Sequence, residues 1–146
     1  MFDIEQSLGF GFYKVSQRIS AIFKEEFREY GITQGQFILL ATLWKADGLS
    51  QVDLSKKTKI DRTTTGGIID RLEKAELLKR TRTPEDRRAH LIYLTDKGSS
   101  LQQDLCRAAY RVRNRVVEQI LPGDYIQLKQ LINKLLPLDA EGGCCA

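Results

Sequence analysis

A chain of 146 residues that is 42% hydrophobic and 29% charged is long and apolar enough for one real core, and it has no low-complexity block. Its formal charge of +4 is carried by residues 50–95, where eleven Lys and Arg face seven Asp and Glu, and a basic zone in an otherwise balanced protein points to a polyanionic partner. A lone histidine, His90, and three cysteines without ligand spacing exclude the usual triad, acid–base and metal chemistries, so no enzyme, cofactor or metal site is expected.

The N-terminal MFDIEQSLGF is acidic before it is apolar, the reverse of a secretory signal, and no apolar run approaches a membrane span. A soluble, cytoplasmic protein is expected. The first helix should run from about Ile4 to Tyr30, with Ile4, Leu8, Phe12, Val15, Ile19, Ile22, Phe23 and Phe27 at helical spacing and Gly31 as its C-cap. Gly9 and Gly11 weaken its first turns. So wide an apolar face needs something large to pack on, and a second subunit fits.

Thr33 and Gln36 form a capping box for a helix that buries Phe37, Leu39, Leu40, Leu43 and Trp44 and ends before Asp47-Gly48. Ser50 with Asp53 repeats the arrangement for a short helix over Gln51 to Thr58. Asp61 then caps a helix from Arg62 to about Ala75, with Ile68, Ile69 and Leu72 inward. Two short helices joined by a tight turn, the second opened by polar residues, are the helix-turn-helix pattern. Leu77–Thr83 and Arg88–Leu94 read as strands around a tip at Thr83 to Arg87. Thr95 caps a long helix from Asp96 to about Ile120, with Leu101, Leu105, Ala108, Val112, Val116 and Ile120 on one stripe. Pro122 opens a last helix carrying Leu128, Leu131, Ile132, Leu135 and Leu136, and Pro137 closes it. The fold class is mainly α with a small β-hairpin wing: a winged helix-turn-helix lobe in 33–95, and a helical dimerisation region from 1–32 and 96–146.

The stretch DRRAHLIYLTDKG at Asp86–Gly98 resembles the wing signature of the MarR family of bacterial transcription regulators. IDRTTTGGIIDRLEKAELLKR is similar to that family's recognition helix and first wing strand, and ITQGQFILLATLWKADGLSQVDLSKKT to the two helices before it. The resemblance runs from about Leu8 to Leu136. One departure is Glu76, where the family usually has Gly; a left-handed conformation there would cost about 1 kcal/mol.

A helix entering the major groove needs short polar side chains near its N-terminus, which Thr63, Thr64, Thr65, Gly66 and Gly67 supply. The alternative is that these are an ordinary helix start. Arg62 and Arg71 reach phosphate or guanine, or else pair with Asp61 or Asp70. Arg87 at the wing tip suits the minor groove, with Asp86 orienting an arginine beside it, and the resemblance implies the same division of labour. Arg82 and Arg88 flank the tip for phosphate contacts, with Lys56, Lys57 and Lys79 as weaker candidates.

The resemblance also implies a cleft that binds small aromatic or phenolic anions. Tyr13, Gln17, Phe37, Leu40 and Trp44 are candidates to line it, with plain core packing as the alternative. Cys106 reads as a small hydrophobe beside Leu105, and Cys144 and Cys145 as part of a loose tail, though thiol sensing is a second reading. The expected function is a homodimeric, sequence-specific DNA-binding regulator, a repressor modulated by a small aromatic or phenolic ligand. Its expected partners are a pseudo-palindromic double-stranded operator, a second copy of itself and a small-molecule effector, and no membrane. The rivals are a winged-helix protein-interaction module without a DNA role and a thiol-based redox-sensing regulator.

Overall fold

The computed structural model describes residues 3–86 and 89–136. Among these the chain divides into two compact units, one up to Gly31 and again from Arg107, the other from Ile32 to Cys106. The second unit thus extends past Thr95, where the sequence reading ended the winged lobe.

In the first unit the N-terminal segment is a short 3₁₀ turn, Ile4–Gln6, then α1, Leu8–Glu26, then a second 3₁₀ turn, Arg28–Tyr30. The single long helix expected here is therefore interrupted. Ser7 stops one helix and caps the next, its hydroxyl accepting from Phe10 N at 3.2 Å. Gly31 takes φ 61° at the end, as a left-handed cap requires. Phe23 and Phe27 stack at 3.8 Å between centroids, and Tyr30 meets Phe27 edge-on.

The second unit begins with α2, Gln34–Lys45, on a complete capping box: Thr33 N donates to Gln36 Oε1 at 2.9 Å, and Gln36 N to Thr33 Oγ1 at 3.3 Å. Leu39, Leu40 and Leu43 of α2 are fully buried. A two-residue strand, β1 at Leu49–Ser50, leads into α3, Gln51–Thr58, and the turn at Lys59 to Asp61 leads into α4, Arg62–Lys74. Ser50 caps α3 by accepting from Asp53 N, but the reciprocal half differs from a capping box, because the Ser50 hydroxyl itself donates to the Asp53 carboxylate at 2.6 Å.

The wing is built from β2, Leu78–Arg82, and β3, His90–Leu94, antiparallel with Leu78 opposite Leu94 and Arg82 opposite His90. β1 adds a third strand on the other side of β3, with Leu49 opposite Ile92, so the sheet order is β1-β3-β2. Sequence reading found no strand there, since two residues carry no alternation to detect. Asp47 Oδ1 holds this corner by accepting from Gly48 N and Leu94 N, both at 3.0 Å.

Thr95 caps α5, Asp96–Ser100, which ends at Leu101 before α6, Gln102–Val117; one continuous helix had been expected. Gly98 explains why α5 stays with the winged lobe. A Cβ there would lie 2.1 Å from the Leu77 carbonyl oxygen, so only glycine lets α5 press onto that main chain. Trp44 Nε1 donates to the Gly98 carbonyl at 3.1 Å from the other side.

The last helix, α7 at Pro122–Leu135, has Pro at its start as expected and no buried residue. Pro137, Cys144 and Cys145 lie outside the described residues. No helix among the described residues is long and apolar enough to cross a membrane.

Candidate nucleic-acid interface

The turn between α3 and α4 is held by one carbonyl. Ile60 O accepts from Ser55 Oγ at 2.6 Å and from Thr65 Oγ1 at 3.2 Å, while Lys59 takes φ 57° to bring the chain around. Asp61 then caps α4, its Oδ1 accepting from Thr64 N at 2.9 Å. The hydrogen bonds from Thr64 hold the Asp61 carboxyl below its usual pKa of 3.8.

Thr65 therefore departs from the sequence reading. It is fully buried, with its hydroxyl committed to Ile60, so it braces the turn and does not face a groove. The spacing explains this: Thr65, Ile68, Ile69 and Leu72 stand at i, i+3, i+4 and i+7, which is one face of a helix. Gly66 also has an inward duty. A Cβ there would lie 2.8 Å from the Gln51 side-chain nitrogen, and that amide donates to Arg62 O at 3.1 Å, tying the start of α3 to the start of α4.

The outward face of α4 carries Arg62, Thr63, Thr64, Gly67 and Arg71, together with exposed Asp70 and Lys74. Arg62, Thr63, Thr64 and Arg71 are exposed, and a Cβ at Gly67 would meet nothing within 4 Å. Neither arginine forms the expected alternative pair with Asp61 or Asp70; Asp70 is engaged by Arg80. The opposite end of α4 closes with Glu76 at φ 61°. Glu76 N donates to Glu73 O and Leu77 N to Leu72 O, both at 2.9 Å, and Leu72 and Leu77 are both buried. This is a Schellman closure with glutamate in glycine's place.

On the wing, Arg82 and Lys79 are exposed on β2, and Lys56 and Lys57 are exposed on α3. Thr83 organises the descent to the tip: its hydroxyl donates to Asp86 O at 2.8 Å and accepts from Asp86 N at 3.3 Å. Arg87 and Arg88 lie outside the described residues. Arg80, which the sequence reading passed over, forks between Glu73 and Asp70 of α4, one guanidinium nitrogen to each. Burial disfavours its cation, but the hydrogen bond to Asp70 and the charge of Glu73 more than offset this and raise its pKa above the usual arginine value.

The five residues considered for a ligand cleft fall in both units. Tyr13 and Gln17 are exposed on α1 and joined by a hydrogen bond from the Gln17 amide to the Tyr13 oxygen at 2.5 Å. Phe37 and Leu40 are buried in α2, and Trp44 meets Phe37 edge-on at 6.1 Å while its ring nitrogen is engaged by Gly98. Cys106 is half-buried on α6. Among the described residues no group of His, Cys, Asp or Glu is placed to hold a metal ion.

A family model described as the MarR family matches residues 32–90, the segment from α2 to the start of β3. The HTH-type transcriptional repressor NicR of Pseudomonas putida is 28% identical over 142 residues, which cover 97% of this chain and 90% of that protein. The structure of Bordetella bronchiseptica BpsR, whose DNA binding is regulated by 6-hydroxynicotinic acid, superposes with a TM-score of 0.82 at 30% identity, covering 88% of this chain and 97% of that one. The transcriptional repressor CouR, bound to a 23-mer DNA duplex, gives a TM-score of 0.84 at 26% identity, covering 90% and 93%.

Proposed function

Because the chain belongs to the MarR family, whose members here are DNA-binding transcription regulators and not enzymes, we propose that it is a homodimeric repressor of a pseudo-palindromic operator. The observation that carries the reading is the split of α4. One face, with Thr65, Ile68, Ile69 and Leu72, is buried, while Arg62, Thr63, Thr64, Gly67 and Arg71 place short side chains and two guanidinium groups on the outer face, with open space at Gly67. Such a face admits a helix to the major groove, where hydroxyls and guanidinium groups meet phosphates and base edges. Arg82 adds a phosphate contact from the wing. Arg87 and Arg88 are proposed contacts on the sequence alone, with Asp86 orienting the arginine beside it.

Dimerisation supplies the second recognition helix and wing, and half-sites about one helical turn apart follow from two-fold symmetry. The support is the exposed apolar surface of α1 and α7. The proposed effector is a small aromatic acid that lowers operator affinity by favouring a dimer geometry unsuited to successive grooves. The likeness to BpsR makes 6-hydroxynicotinic acid the first probe. Tyr13 and Gln17 are the polar residues proposed to meet it. Such a regulator works in the cytoplasm, where the operator is.

Sites selected from a random duplex pool test the reading. Thr64→Arg and Gly67→Glu should each abolish specific binding while leaving the helical circular dichroism and the oligomeric state unchanged. Gly67 is the cleaner position, since a side chain there displaces nothing, whereas Gly66 is packed on Gln51. Undiminished affinity of both variants would place another surface in the groove.

A further inference from the structure

The proposed groove-facing helix has a charge problem. Over Asp61 to Lys74 its three cations, Arg62, Arg71 and Lys74, are matched by three anions, Asp61, Asp70 and Glu73. Asp61 is harmless, because it caps the helix N-terminus and accepts from Thr64 N. Asp70 and Glu73 stand three residues apart, hence on one side of the helix, and carry two negative charges toward a polymer with one phosphate charge per ~1.7 Å of axis.

Arg80 answers both carboxylates. It lies on β2 opposite Ile92, on the strand face shared with the buried Leu78, and its side chain is 27% exposed, between Glu73 and Asp70. A planar guanidinium with donors on separate nitrogens can hold two carboxylates at once, which a lysine cannot do with the same fixed geometry. Its strand neighbours Lys79 and Arg82 are exposed. One strand thus carries one cation turned to the protein and two open to solvent.

We infer that Arg80 is a positioning residue for DNA binding: an internal counter-cation that neutralises Asp70 and Glu73 on α4 and does not itself contact DNA. The inference rests on the DNA-binding reading above. It differs from the usual role of a basic residue on a wing strand, because Arg80 acts through the recognition helix.

Fluorescence anisotropy of the full-length chain on its selected duplex, across roughly 50–200 mM salt, separates the two roles. Arg80→Met should weaken specific binding about tenfold at the low-salt end and by less at the high-salt end, where screening relieves the repulsion between the two unpaired carboxylates and the phosphates. Adding Asp70→Asn and Glu73→Gln to Arg80→Met should restore most of the affinity. If Arg80→Met fails to fold by circular dichroism, the Asp70→Asn/Glu73→Gln variant, which keeps Arg80, decides: it should bind no more weakly than the parent. A slope that stays reduced by about one unit per subunit in the triple variant, where no carboxylate remains to be unmasked, would make Arg80 a phosphate contact and overturn the inference. So would failure of the triple variant to recover, or weak binding by Asp70→Asn/Glu73→Gln. A parent chain that binds no duplex at any salt would sink the DNA reading and this inference with it, whereas a tight parent with the wrong variant pattern sinks the inference alone.

Discussion

In the winged lobe the apolar periodicity is satisfied within one chain: Leu39, Leu40, Leu43, Leu54, Ile69 and Leu72 are all at or near zero exposure. In the helical unit the same kind of periodicity is not. Ile126, Leu128, Leu131 and Leu135 of α7 are 43–64% exposed, and so are Phe12, Tyr13 and Val15 of α1 at 43–57%. The polar side differs too. Glu25, Glu26 and Glu29 are matched by Arg111 and Arg115, with Arg111 Nε 2.7 Å from Glu26 and Arg115 2.8 Å from Glu25. The helical unit is therefore finished on its charged side and unfinished on its apolar one. A helix pattern in a sequence says that a face will be buried; it does not say by which chain.

The sharpest way to break the contrast is to charge the unfinished face. Leu131→Glu with Leu135→Glu should convert a dimer to a folded monomer in sedimentation and lower operator affinity by about 10²–10⁴-fold, through loss of the second binding module. A parent that sediments as a monomer at micromolar concentration would overturn the homodimer reading outright. The finished lobe should instead fail from within. Gly98→Ala places a methyl against the Leu77 carbonyl, and a stability loss of about 3 kcal/mol is expected in chemical denaturation, more than for any exposed residue of α7.

A smaller effect of opposite sign is expected at Glu76, which holds a left-handed backbone. Glu76→Gly should stabilise the chain by up to roughly 0.5 kcal/mol, the relief of strain less glycine's greater unfolded freedom. A lower denaturation midpoint would mean that the strain is absent. Last, hydrogen bonds from Arg111 and Arg115 hold Glu26 below its usual 4.5. A carboxylate depressed on folding contributes stability that is present above its unfolded pKa and is lost as pH falls through the folded one. Glu26→Gln should therefore flatten the acid limb of the stability profile below pH 4.5 and leave its shape near neutrality unchanged. An identical acid limb in both proteins would remove the pair from the account.

Most of the lobe was legible because its boundaries are written in side chains that cap: Thr33, Ser50, Asp61 and Thr95 each stand at the helix start that the sequence suggested. Four features were not legible in the same way. β1 is too short to show alternation and exists because Asp47 and Gly48 hold it to β3. The break at Leu101 follows a Gly-Ser-Ser run of weak helix formers, a signal available in the sequence but outweighed by the apolar stripe on either side. The inward turn of Thr65 was also available, since it falls on the i, i+3, i+4, i+7 face of its own helix, but Thr63 and Thr64 carry the same side chain and only helical phase separates them from it. Arg80 needed both periodicities together, a strand residue in step with buried Leu78 and an acidic pair one turn apart on the helix before it.

Leu77 has a consequence for how this lobe is held together. Its N–H is bonded to the end of α4, its carbonyl accepts from Thr95 N at 3.1 Å, and the same carbonyl is the surface on which Gly98 rests. From α4 to the start of α5 there is a path of main-chain atoms, with a glycine at its one non-bonded step. The start of α5 is thus joined to the end of α4 through the main chain of one residue, and the joint is specified by peptide groups and a glycine, not by the identity of the side chains around it.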